Sequence, residues 1–367
     1  MNDRERLLAT IRFEKTDRPF RWEAPGIWGA TAKRWRTEGF ADTHGFREYF
    51  KMDRLEWLPF AGGWCNNPYC PMFDVEVVSE DEATIVRREQ SGITARNFKE
   101  DPDTSMPQFI KFPVESAKDF EEHIAWRLDY TTAERFPENW DALCRGYKDR
   151  DYPLGLFTIG PFGYVRNLMG DDVLLYQFYD DPALIHRMMA VWEEFYTGLI
   201  ERVAADVVPD VIMVWEDMCF RTGPLISPEM YREFLSGPLQ RVIAKARQKG
   251  VTGIIVDNDG NTDSMIPVYL DCGANVFFPF EVQAGMDIVA LRKHYGKRFA
   301  IIGGLDKRTL AQSEEAVLAE INAKVPFLIE DGGFIPMTDH TIPPNVPFTM
   351  FQFFVNTLRT KFSPAKQ

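Results

Sequence analysis

Four apolar runs in the second half of the chain end in acid. Ile254-Ile255-Val256 breaks into Asp257-Asn258-Asp259-Gly260-Asn261, and Val211-Ile212-Met213-Val214-Trp215 into Glu216-Asp217. Val276-Phe277-Phe278-Pro279-Phe280 meets Glu281, and Phe299-Ala300-Ile301-Ile302 passes through Gly303-Gly304 to Asp306. A short, continuous apolar run is what a parallel strand covered on both faces requires. Acid at its carboxyl end is how an α/β barrel presents functional groups at its open mouth. One such end is an ordinary loop, whereas four predict a shared cavity and an enzyme.

The remaining periodicity fits the same architecture. Asp3 to Phe13 reads as a short amphipathic helix, followed by a first strand at Pro19–Ala24 and a second at Arg54–Phe60. The β-rich segments Asp74–Val78, Ala83–Arg88 and Gly92–Phe98 read as an antiparallel meander, and helices follow at Glu115–Trp126 and Glu138–Tyr147. A third strand at Leu154–Ile159 starts a regular strand–helix alternation. Asp181-Pro182 and Ser227-Pro228 are helix starts, the first leading Leu184, Met188, Trp192, Phe195, Leu199 and Val203 at helical spacing. Strands at Val211–Trp215, Gly253–Val256, Asn275–Phe280, Phe299–Ile302 and Gly333–Pro336 bring the expected total to eight. Helices are expected around Ala284–His294, Glu314–Leu328 and Val346–Phe362. The expectation is a (β/α)8 TIM barrel, one domain over residues 1–367, with an antiparallel β-meander and helical insertion over roughly 65–150, between the second and third barrel strands.

Composition narrows the partners. A formal charge of −13 argues against a nucleic acid or an anionic membrane, which reward clustered Lys and Arg. The five cysteines form no CxxC pair and their odd number fits a reducing compartment. With neither a signal-peptide core nor a run of about 18 apolar residues, a cytoplasmic, soluble protein acting on a small molecule is expected.

Asp257 and Asp259 stand two apart, so an extended strand turns both the same way. That suits a cation held by oxygen ligands or a carboxylate pair in acid/base work, and equally a turn built from Asp, Asn and Gly. His340, in Thr338-Asp339-His340-Thr341-Ile342-Pro343-Pro344 just past the last strand, suits a ligand, a proton donor or an anion contact. The other four histidines, His44, His123, His186 and His294, read as structural. Glu216, taken ahead of Asp217, and Glu281 are acid/base or ligand candidates; Phe277, Phe278 and Phe280 would raise the pKa of Glu281 if it points inward. Asn258 and Asp306 join the polar candidates, and Trp22, Trp28, Trp57, Trp64, Tyr69 and Trp215 are the aromatics expected near the mouth. Gly303-Gly304 is too short for a phosphate cradle, and no Gly-x-Ser-x-Gly, Walker or dinucleotide motif occurs.

Arg4-Glu5-Arg6-Leu7-Leu8-Ala9 through Thr16-Asp17-Arg18-Pro19, Gly160-Pro161-Phe162, Leu225-Ile226-Ser227-Pro228-Glu229, Gly303-Gly304-Leu305-Asp306 and Ile342-Pro343-Pro344 together resemble the uroporphyrinogen decarboxylase superfamily. The resemblance implies a (β/α)8 barrel with its active site at the carboxyl-terminal mouth. Its decarboxylases remove carboxylates from tetrapyrrole acetate side chains without a cofactor, while their relatives use zinc to move methyl groups to or from corrinoid proteins. The decarboxylase motif Arg-Gln-Ala-Gly-Arg is missing from the corresponding Arg21-Trp22-Glu23-Ala24-Pro25-Gly26-Ile27-Trp28, and Leu168 stands where that branch has a tyrosine.

The methyltransferase motif His-x-Cys-Gly-Asn corresponds to Asp257-Asn258-Asp259-Gly260-Asn261, and His340 lines up with that branch's late cysteine. The resemblance therefore implies Asp257, Asp259 and His340 as zinc ligands, in a site changed from thiolate to carboxylate and imidazole. By their place at the strand ends and the expected mouth, Glu216, Glu281 and His340 are the expected catalytic residues, and Trp22, Trp28, Trp64, Trp215, Asn258 and Asp306 the expected substrate contacts. No corrinoid signature occurs, Asp42-Thr43-His44-Gly45-Phe46-Arg47 lacking its glycine, so cobalamin is expected on a separate protein. The leading expectation is a corrinoid-dependent methyltransferase demethylating a small, aromatic O-methyl substrate, with a homodimer as the assembly; the alternatives are a porphyrinogen-type decarboxylase and a non-catalytic ligand-binding barrel.

Overall fold

The computed structural model describes residues 1–24, 26–41, 45–59, 68–100 and 106–362. Its centre is a curled sheet of seven parallel strands in chain order: β1 (Glu56–Trp57), β6 (Leu154–Ile159), β7 (Val211–Trp215), β10 (Gly253–Asp257), β11 (Val276–Phe278), β12 (Ala300–Ile302) and β13 (Phe334–Ile335). The fold is mixed α/β and TIM-barrel-like. Between β1 and β6 the chain forms an antiparallel sheet of four strands, β2 (Glu76–Glu80), β3 (Thr84–Arg88), β4 (Thr94–Phe98) and β5 (Gln108–Lys111), one more than the meander read from sequence. After β7 a hairpin of β8 (Cys219–Phe220) and β9 (Gly223–Pro224) lies over the sheet's carboxyl end.

The expected first strand is corrected. Pro19–Ala24 runs through the place of a barrel strand but forms no ladder among the described residues. Its ties are individual ones: the Asp53 N–H donates to the Arg21 carbonyl, and the Arg21 N–H returns a bond to the Asp53 carboxylate. Phe20 nevertheless packs with the inner core, so the segment is buried without being paired. The other seven expected strands are present, most of them trimmed at the ends, as the helix starting at Ile288 is trimmed against Ala284–His294.

Helices form where caps and periodicity coincide. Asn2 caps Asp3–Ile11 by accepting from the Glu5 N–H at 2.8 Å while the Glu5 carboxylate takes the Asn2 N–H. Asp181 caps Pro182–Asp206, whose Leu184, Met188, Trp192, Phe195, Leu199 and Val203 are each at most 3% exposed. Two cores result. An outer one lies between sheet and helices, and an inner one fills the barrel with Phe20, Phe157, Met213, Ile255, Val276, Phe278, Ala300, Ile302, Ile335 and Met337.

Leu7 and Ile11 of the first helix close the floor of the inner core, where Val211 and Gly253 begin their strands. A Cβ on Gly253 would come within 2.9 Å of the Ile11 side chain, which shows how tightly the plug fits. Ile11→Ala should therefore cost about 2–4 kcal/mol in urea unfolding, whereas Arg12→Ala on the exposed side should change stability by less than about 0.5 kcal/mol.

Candidate active site

Along β10, Ile255 belongs to the inner core and Ile254 and Val256 to the outer one. The two-residue repeat carries Asp257 to the inner side at the mouth, flanked in register by Trp215 of β7 and Phe278 of β11. Burial, followed by the charges of Asp259 and Asp217, pushes the Asp257 carboxyl well above the usual carboxylate range. The shift favours the protonated form relative to an exposed carboxyl. Asp259 accepts a bond, or shares a proton, with Nε2 of His340 at 3.0 Å. Burial lowers the His340 pKa, but the hydrogen bond and charge of Asp259 outweigh it and the net shift is upward.

Three loops hold this pair in place. The buried Asp339 carboxylate accepts from the Val282 N–H at 2.9 Å and the Lys307 N–H at 3.0 Å, tying the segments after β11, β12 and β13 together beside His340. Glu281 accepts from the Gly260 N–H at 3.0 Å and lies 3.7 Å from the Lys307 ammonium. Gly260 has φ +74, and a Cβ there would lie 2.5 Å from the Cys219 carbonyl oxygen, so the loop after β10 can seat on the β8–β9 hairpin only with glycine.

Residues of the opposite parity frame the mouth from behind. Glu216, fully buried, accepts from the Phe162 N–H at 2.8 Å, the Gly163 N–H at 3.4 Å and the Tyr231 hydroxyl. It caps the helix Pro161–Met169 from a neighbouring strand, and a Cβ on Gly160 would approach its carboxyl carbon to 2.6 Å. This explains Gly160-Pro161-Phe162: proline starts the helix and glycine admits the carboxyl. Burial raises the Glu216 pKa to about 7 against those hydrogen bonds. Asn258 accepts from the Met218 N–H and donates to the Tyr269 hydroxyl at 3.0 Å. The structure thus groups Asp257, Asp259 and His340 with Trp215, and turns Glu216 and Asn258 toward the helix layer.

The other sequence candidates are dispersed. Asp306 caps the turn that follows it and pairs with Arg308 at 2.7 Å. Trp22 joins the inner core at 6.4 Å from Phe278, Trp57 stands against Phe157, Trp28 precedes the helix Gly29–Thr37, and Tyr69 is buried in the outer core. Trp64 and His44 lie outside the described residues. Sequence reasoning missed Arg166, which pairs with Asp217 at 2.7 Å and lies over the Trp215 ring, and Glu23, buried and bonded to the Thr338 N–H and hydroxyl. The shift of parity from Phe20 and Trp22 to Glu23 was the available signal. Among the described residues no three His, Cys, Asp or Glu side chains stand together to hold a metal ion, and the His340 nitrogen is engaged by Asp259. As placed, the three expected ligands do not form a three-donor metal cluster.

A barrel-like parallel sheet with acid and imidazole at its carboxyl-terminal mouth defines an α/β-barrel enzyme class. The sequence model described as uroporphyrinogen decarboxylase (URO-D) matches residues 97–361, and the chain belongs to that family. A curated uroporphyrinogen decarboxylase from Thioalkalivibrio sulfidiphilus (strain HL-EbGR7) is 27% identical over 179 residues, 46% of each chain, so the match spans about half of that relative. A solved methyltransferase from Methanosarcina mazei is similar over 98% of this chain and 99% of its own, with TM-score 0.63 and 15% identity, a likeness of fold. No helix among the described residues is long and apolar enough to cross a membrane.

Two titrations follow. Histidine NMR should find His340 titrating above its ordinary 6.5, and Asp259→Asn should lower that value. Burial raises the Glu23 pKa to about 8, so its contribution to stability is complete below its ordinary 4.5 and is lost as pH rises through about 8. Glu23→Gln lacks that loss, and thermal unfolding should show its stability relative to the parent improving steadily from about pH 5 to pH 8.

Proposed function

We propose that the protein is a methyltransferase that takes the methyl group from a small aromatic O-methyl substrate and passes it to cobalamin carried by a separate corrinoid protein. The observation that carries the reading is the mouth itself: Asp257 set beside the half-buried Trp215, over an inner core that Phe278 and Trp22 make aromatic. Such a surface favours a flat, weakly charged ligand. The cations at its edge, Arg166 and Lys307, already face Asp217 and Glu281, which disfavours a substrate bearing many carboxylates. The family membership supports the fold and site position, and the methyltransferase neighbour supports the branch by its fold.

The chain's own groups supply binding and proton transfer. The half-buried Trp215 offers its face to the ring, whose ether oxygen is directed to the Asp257 carboxyl beside it. As the methyl–oxygen bond breaks, the bonding pair stays on oxygen and the Asp257 proton moves to it, giving a neutral phenol and an Asp257 carboxylate. The corrinoid supplies the nucleophile that receives the methyl cation equivalent. His340, hydrogen-bonded to Asp259, faces the same mouth and is the group through which Asp257 regains a proton. Zinc has no step in this scheme. A homodimer is the assembly proposed with it.

Anaerobic incubation with cob(I)alamin as acceptor and a panel of aryl methyl ethers tests the reading, with the free phenol quantified by chromatography. The expected result is phenol release that Asp257→Asn reduces by about a hundredfold or more, with KM little changed, and that Trp215→Ala reduces through KM. Loss of carboxylate from uroporphyrinogen would establish the decarboxylase alternative instead. Saturable ligand binding with neither product would reduce the protein to a binding barrel.

A further inference from the structure

One buried carboxyl near the mouth faces a hydroxyl that has too few protons for its neighbours. Glu23, at the end of the unpaired Pro19–Ala24 segment, meets Thr338 through a single oxygen: its Oε1 accepts the Thr338 N–H at 3.1 Å and also touches the Thr338 hydroxyl oxygen. That same hydroxyl stands 3.1 Å from the His340 carbonyl oxygen. Thr338 is fully buried, so the three oxygens must settle their protons among themselves.

A threonine hydroxyl has one proton to give. With Glu23 ionised, its carboxylate and the His340 carbonyl oxygen compete for that proton, and one of the two contacts sets lone pair against lone pair. With Glu23 neutral, its own O–H donates to the Thr338 oxygen, the threonine proton passes on to His340, and both contacts are hydrogen bonds. The Thr338 N–H still finds a lone pair on Oε1. Burial works in the same direction, raising the Glu23 pKa to about 8; the two Thr338 bonds oppose it and the charge of Asp339 adds to it. The chain also bears on the imidazole. Thr338, Asp339 and His340 are the segment that carries the ring to Asp259, 3.0 Å away. Asp339 anchors its middle on the Val282 and Lys307 N–H groups, while Glu23 holds Thr338 and Thr338 holds the peptide plane after His340.

We propose that Glu23 and Thr338 are positioning residues for His340: Glu23, as a neutral carboxylic acid, donates to the Thr338 hydroxyl, which donates to the His340 carbonyl oxygen and so holds the imidazole on Asp259. The hydrogen-bond chain is independent of the methyl-transfer reading. Its consequence for turnover rests on that reading, in which His340 returns a proton to Asp257.

Infrared difference spectra between the parent and Glu23→Gln at neutral pH test the proton. A protonated-carboxyl C=O stretch lost in the variant is expected, and loss of a carboxylate band in its place would overturn the proposal. Replacing Thr338 tests the positioning, because Thr338→Val keeps the shape and removes the hydroxyl, whereas Thr338→Ser keeps the hydroxyl. In 15N spectra of the full-length protein at neutral pH, the His340 Nε2 resonance should move in Thr338→Val toward its position in Asp259→Asn, and should stay with the parent in Thr338→Ser. A folded Thr338→Val with the parent's resonance, or a Thr338→Ser displaced as far as Thr338→Val, would contradict it. Neither spectrum involves a substrate, so both outcomes are separate from any failure of methyl transfer itself. In the phenol-release assay, Thr338→Val should lower kcat by about tenfold and leave KM unchanged, and a loss confined to KM would count against a role in holding the proton carrier.

Discussion

Asp257 stands between Trp215 and Phe278 because β10 keeps its two-residue repeat through its last ladder pair, with Val211–Trp215 on one side and Val276–Phe278 on the other. A slip of one residue would turn Asp257 into the helix layer and bring Asn258 to the mouth. The apolar residues beneath it make such a slip costly. Ile255 fills the inner core while Ile254 and Val256 fill the outer one, so both sets would be misplaced together. The register of one buried strand thus decides which polar groups meet a ligand.

The loops above the strand are held by hydrogen bonds to buried or half-buried carboxylates rather than by apolar contact. Asp339 joins three of them, Glu281 fixes the Gly260 turn, and Glu216 caps the helix that begins at Pro161. These acids resemble catalytic candidates in sequence because the chemistry that positions a loop uses the same residue types as the chemistry that moves a proton. What separates them is the count of N–H donors each already serves. Asp257 is engaged by none of these framing bonds, and its surroundings are aromatic and acidic, which is the setting that keeps a carboxyl protonated.

Much of this is legible in the sequence. Seven of eight strands, the capped helices at Asp3 and Pro182, and the convergence of Asp257, Asp259 and His340 follow from apolar periodicity, cap residues and the family's motif positions. Pro19–Ala24 differs because a segment can be buried in sequence order where a strand is due without its backbone finding a ladder partner. Glu216 and Asn258 were drawn to the site by their neighbours in sequence, although strand parity sends them to the opposite face. The zinc expectation rested on aligned positions, and the spacing of three donors in space is not written in the spacing of their motifs.

The proposed chemistry requires the Asp257 carboxyl to carry a proton at neutral pH, beside a neighbouring acid and imidazole. Infrared difference spectroscopy between the parent protein and Asp257→Asn, at neutral pH in both H2O and D2O, observes that proton directly. A protonated-carboxyl C=O stretch that shifts in D2O and disappears in the variant is the predicted result. A carboxylate band lost in the variant, with no protonated band, would contradict it.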